Sequence, residues 1–75
     1  MPKLPVISAR KVIKVLKKKG YILDRIHGSH HVFSRESDQK SVSVPVHQGR
    51  DLGRGITLAI LKDADISADE FLRLV

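Results

Sequence analysis

Residues 21–35 run YILDRIHGSHHVFSR, and the dipeptide in the middle, Gly28-Ser29, decides how they fold. Tyr21 to His27 and His30 to Arg35 each follow a two-residue period, the spacing at which side chains alternate across a strand. A two-residue link that begins with glycine has the length and composition of a tight hairpin turn. If Gly28 and Ser29 form the turn, His27 and His30 oppose each other and point to one side of the hairpin. His31, Phe33 and Arg35 then point to the other side.

Working upstream, the period changes to 3.6. Ala9, Val12, Ile13 and Leu16 fall at i, i+3, i+4 and i+7, one apolar stripe of a helix. Ser8 suits its N-cap and Gly20 the left-handed residue after its C-terminus. The opposite face presents Arg10, Lys11, Lys14, Lys17 and Lys18, the last two also suited to the negative end of the helix dipole. Downstream, ESDQK at 36–40 is a polar turn, and Ser41 to Val46 alternates again, with Val42, Val44 and Val46 on one face. Pro45 has no amide hydrogen for a ladder, so this strand should lie at an edge or end there.

His47 to Gly55 holds three glycines and no period, and is expected to be a loop. A second helix is expected from about Ile56 to Ala64, burying Leu58 and Leu61 along with Thr57 and Ala64. ISADEFLRLV then carries Ser67 and Glu70 at capping-box spacing for a short last helix. The class is therefore α+β: helix, three antiparallel strands, helix, helical tail. Three strands can bury only one face, so both longer helices should pack on the same side.

Seventy-five residues make one domain, 1–75. A chain of this size buries only about 60% of its unfolded surface, so its core is small. Cysteine is absent and apolar residues make up 41%, which fits a globular protein of a reducing cytoplasm. No run approaches the roughly 20 apolar residues of a membrane span, and the N-terminus lacks the apolar segment of a secretory leader. The net charge of +6 is unevenly spread: residues 1–35 carry nine basic side chains and one acid, residues 36–75 five and seven. Such a basic half suits a polyanion-binding face.

Four histidines, His27, His30, His31 and His47, could carry chemistry. Zinc requires three or four converging ligands, and HGSHH offers two on one face, so no metal site is expected. Ser29 and His30 are adjacent on a strand and diverge, which disfavours serine-triad chemistry. General acid–base chemistry on RNA fits better. RNA supplies its own nucleophile, the 2′-hydroxyl, so such an enzyme needs no cofactor. It needs a group titrating near neutrality, as an imidazole does, and cations to hold the phosphate. Lys14, Lys17, Lys18, Arg25 and Arg35 form that cationic pool. Residue chemistry alone does not choose between His27 and His30.

GYILDRIHGSHHVF, SVSVPVH, RGITLAILKDADIS and the terminal DEFL together resemble the HicA toxin family of bacterial toxin–antitoxin pairs, from Ser8 to Leu72. GSHHVF at 28–33 and VPVH at 44–47 are the most specific parts. The resemblance implies a fold like the double-stranded-RNA-binding domain, α-β-β-β-α. It also implies an mRNA interferase, with His30 as the essential histidine and Gly28 and Ser29 as its motif neighbours. It further implies a HicB-type antitoxin as partner, covering the active surface. His47 belongs to the family pattern without a settled role and, like His27, is carried as an auxiliary candidate. Ile56 stands where the family often has threonine, and Asp65 where it often has glycine. Two alternatives remain: a non-catalytic RNA-binding module, and a protein-interaction subunit that has lost activity.

Overall fold

The computed structural model describes residue 4 and residues 6–75; residues 1–3 and 5 of the expected single domain lie outside the described residues. The elements are β1 (Ile7–Ser8), α1 (Ala9–Lys18), β2 (Ile22–His27), β3 (His30–Arg35), β4 (Lys40–Pro45), β5 (Asp51–Leu52), α2 (Arg54–Asp63) and α3 (Ala68–Leu74). β2, β3 and β4 form an antiparallel meander in that order, and β1 pairs with β5 in a separate two-stranded ladder. The α+β class and the α-β-β-β-α order with a short C-terminal helix are as expected.

The hairpin turns at Gly28-Ser29, with Gly28 at φ 62° and His27 facing His30. Positive φ at the first central residue alone is the II′ pattern, for which glycine is the natural occupant. Parity in β3 and β4 then divides the sheet. Phe33, Val42 and Val44 are 0–1% exposed and face the helices. His30, Val32 and Ser34, with Ser41, Ser43 and Pro45 in register opposite them, belong to the other face. α1 and α2 both pack against β4, and α3 touches both helices.

Helices α1 and α2 end in the same way. After α1, the Gly20 amide donates to the Lys17 carbonyl and the Tyr21 amide to that of Leu16; after α2, Asp65 donates to Lys62 and Ile66 to Leu61. This crossed pair of bonds is the Schellman motif, and it requires a left-handed residue just past each helix. Gly20 takes it at φ 91° and Asp65 at φ 60°. The position where the family often has glycine is thus the one whose backbone calls for it. Aspartate tolerates that conformation better than most residues do. Tyr21 and Ile66, the residues that follow, are both buried.

Four expectations need correction. Residues 47–55 are not all loop, because Asp51 and Leu52 pair with Ser8 and Ile7 as β5. α2 begins at Arg54 rather than Ile56, and its buried residues are Thr57, Ile60 and Leu61, whereas Leu58 is 50% exposed. A threonine is affordable in that core because its hydroxyl donates to the Gly53 carbonyl at 3.0 Å. Third, Tyr21 precedes β2, and its ring lies in the core with its hydroxyl donating to the Ala64 carbonyl. Burial pushes that hydroxyl's pKa above the ordinary tyrosine value. Fourth, Val46 lies just past β4, though it still packs on the core. In α3 the capping box is half made. Ser67 accepts from the Glu70 amide at 3.1 Å, but the Glu70 carboxylate turns to Lys19 Nζ, 2.6 Å away.

Candidate active site

The outer face of the sheet gathers His30, its hairpin partner His27, Arg25, and Ser43 of β4. Each follows from strand parity, except that β2 carries a bulge between Leu23 and Arg25. Leu23 faces Phe33 and Arg25 faces Val32, leaving Asp24 as the extra residue. A bulge turns neighbouring side chains toward one side. Asp24 and Arg25 accordingly form an ion pair, at 2.7 Å, that a regular strand would keep apart. β2 is exposed along its whole length and keeps this end of the sheet open to a large ligand.

His30 is exposed, and its ring is held from one side. Its Nδ1 lies 3.3 Å from Ser43 Oγ, while Nε2 has no hydrogen-bond partner among the described residues. The serine hydroxyl can donate to Nδ1 or accept from it. In a neutral ring the first arrangement puts the proton on Nε2 and the second leaves Nε2 bare to serve as a base. In the protonated ring both nitrogens donate, so Ser43 accepts from Nδ1 while Nε2–H serves as an acid. In each state the contact leaves the outward nitrogen for a substrate. His27 sits directly across from it, and facing Cβ atoms in an antiparallel pair are about 4.5–5.5 Å apart. Sequence reasoning missed Ser43. The signal was present in the alternation of 41–46, where Ser41 and Ser43 interleave with the core valines.

Replacing Ser43 with alanine is expected to leave the fold intact, because the residue is exposed. It should lower any His30-dependent rate by about threefold to tenfold, the range for losing one neutral hydrogen bond. A structural role would show instead as a lowered melting temperature, which a dichroism melt of the variant checks.

The cationic candidates separate. Arg25 shares the histidine face. Lys14 and Lys17 are exposed along α1. Lys18 Nζ donates to the Leu74 carbonyl at 2.8 Å, pinning α3 to α1. Arg35 belongs to the opposite face, over the Tyr21 ring at 4.5 Å, with Nη1 donating to the Lys19 carbonyl and a two-point grip on Asp38. That grip holds the Asp38 carboxyl below its usual pKa and raises that of Arg35. Arg35 is thereby engaged in joining the α1 terminus to the hairpin. His31 faces Val44 and Ile26 on the helix side. His47 lies past β4, exposed in the loop. Among the described residues, no three His, Asp or Glu side chains converge as a metal site would need, and no helix is long and apolar enough to cross a membrane.

No curated protein matches the chain. A family model described as the HicA toxin of bacterial toxin–antitoxin systems matches residues 9–66, from the start of α1 through α2 and the turn that follows it. That span includes the hairpin, the histidine pair and Ser43. The chain therefore belongs to the HicA toxin family and is the toxin of a toxin–antitoxin pair.

Proposed function

We propose that the protein is a metal-independent endoribonuclease that cleaves mRNA with His30 as its catalytic group. The observation that carries this reading is the His30 ring itself, tethered at Nδ1 by Ser43 and open at Nε2 on a face shared with His27 and Arg25. The 2′-oxygen of a ribose attacks the adjacent phosphorus, giving its proton to a base. The bond from phosphorus to the 5′-oxygen breaks, and that oxygen takes a proton from an acid. The products are a 2′,3′-cyclic phosphate and a 5′-hydroxyl, with no atom required from a metal or cofactor. His30 Nε2 moves one of the two protons, and His27, at the facing position, is suited to move the other. Arg25 offsets the charge that builds on the phosphate.

Cleavage of mRNA accounts for toxicity, and it implies action in the cytoplasm. A HicB-type antitoxin neutralises the toxin by covering the His30 face. Purified protein incubated with single-stranded mRNA and a chelator is expected to cut it. RNA that is bound but never cut under those conditions would favour the non-catalytic RNA-binding module instead.

A further inference from the structure

A groove runs along one side of α1 and opens at the end of the sheet. One part, of about 540 Å³, lies between Arg10, Lys14 and Lys17, with Ile13 and Val46 beneath them. The next part, of about 780 Å³, shares Arg10 and Val46 and continues between α1 and the 46–51 loop, past His47 and Arg50. The two adjoin at Arg10 and Val46, which line both parts of the track. Its wall is tied to the histidine motif, because the Val46 amide donates to the Ser29 carbonyl at 2.7 Å, and Pro45, one residue earlier, faces His30.

The charge along this track is uncommitted. Lys19, Arg25 and Arg35 are engaged in ion pairs, whereas Arg10, Lys14, Lys17 and Arg50 make none among the described residues. Among the described residues, Asp51, in the β1–β5 ladder, is the one acid lining the groove. Cations along the sides of a channel with an apolar floor match one strand of nucleic acid. The phosphates meet the cations, and a ribose or base lies over Ile13 and Val46. Arginine can grip a phosphate through two parallel hydrogen bonds, which lysine cannot.

We propose that this groove is the track for the phosphodiester backbone of single-stranded RNA. Arg10 and Arg50, beside His47, grip a phosphate at the end of the sheet that carries His30. The proposal rests on the chain being an RNA-cleaving toxin, and it adds two binding residues to Lys14 and Lys17. It also gives the strand a direction, along α1 and then around the end of the sheet to the histidine face.

The test uses a short 2′-O-methyl single-stranded oligonucleotide, which lacks the attacking hydroxyl and so reports binding alone. An Arg10→Ala/Arg50→Ala double variant is compared with a Lys62→Ala/Arg73→Ala double variant, which loses the same charge from exposed residues outside the groove. The groove variant is expected to bind at least roughly tenfold more weakly than wild type. Its slope of log affinity against log salt should be shallower by about 0.7, the value for one single-strand phosphate contact. The control should stay close to wild type, and thermal melts should show all three folded. Equal affinities of the two double variants would overturn the proposal, as would a wild type that does not bind the oligonucleotide. If the arginines grip an acidic segment of the antitoxin instead, the groove variant keeps its RNA affinity and loses antitoxin affinity, and the proposal falls. Cleavage is scored separately on unmodified RNA. A chain that binds through the groove and never cuts removes the proposed activity but leaves the track standing; one that cuts while the groove variant binds like wild type removes the track alone.

Discussion

A His30→Ala variant is expected to lose RNA cleavage by about 10²- to 10⁴-fold, the usual contribution of a positioned acid or base. The loss should be chemical and not structural. His30 is exposed, and among the described residues its one side-chain hydrogen bond is the contact with Ser43, so the variant should melt close to wild type. RNA affinity should also survive, because phosphate binding depends on the lysines and arginines and weakens with salt. The expected signature is thus a variant that is folded, binds RNA and is inert. Expressed alone in bacteria, the wild type should arrest growth and this variant should not. His27→Ala gives the useful contrast. If His27 moves the second proton, its loss should remove one limb of the pH–rate profile; if it is a solvated strand end, the profile should be unchanged. Full activity in His30→Ala would remove the assignment outright.

The second large effect is on stability. Phe33 is 1% exposed and sits in the middle strand, flanked in register by Leu23 of β2 and Val42 of β4. Truncating a buried phenylalanine to alanine costs about 3–5 kcal/mol, the lost transfer energy together with the cavity left behind. Domains hold only about 5–15 kcal/mol in total, and one this small sits near the lower end. Phe33→Ala is therefore expected to lower the melting temperature by more than about 12 °C, on the scale of 4–8 °C per kcal/mol for a domain of this length. In the extreme it abolishes the folding transition. Calorimetry or a dichroism melt decides it, and a shift of only a few degrees would contradict the placement of Phe33 at the centre of the core. Activity should fall in parallel, since β3 carries both Phe33 and His30.

Much of this was legible because strand parity is an unforgiving code. Fixing Gly28-Ser29 as the turn fixed which residues oppose each other, and His27 does face His30. The caps of α1 and α3 were legible for a similar reason: serine at an N-cap and glycine after a helix answer specific backbone needs. What stayed hidden depends on contacts distant in sequence. A two-residue strand such as Asp51–Leu52 has no period to detect, and it exists because Ile7 and Ser8 are nearby to pair with. The expected buried face of α2 held Thr57, Leu61 and Ala64, all of them buried, but counted Leu58, which is 50% exposed, and left out Ile60, which is buried. The Gly53 carbonyl, one turn earlier, satisfies the threonine hydroxyl and makes the burial affordable. The bulge at Asp24 leaves no mark that alternation could reveal.

The site divides along the same line. His30 and His27 emerged from parity and imidazole chemistry, and the choice between them rested on the family motif. Arg35 counted as one cation among five, and nothing local announces that it stacks on Tyr21 and grips Asp38. Arg10 was visible on the basic face of α1, but its neighbourhood with Arg50 is created by the loop that returns after β4.

The central claim, that His30 drives attack by RNA's own 2′-hydroxyl without a metal, is tested most directly by the chemistry of the cut ends. Single-stranded mRNA is incubated with the purified toxin in excess chelator, and the termini of the fragments are identified by mass spectrometry. The account predicts 2′,3′-cyclic phosphate, or the 3′-phosphate formed from it, on one fragment and a 5′-hydroxyl on the other. Fragments ending in 3′-hydroxyl and 5′-phosphate, or cleavage that disappears with the chelator, would contradict it.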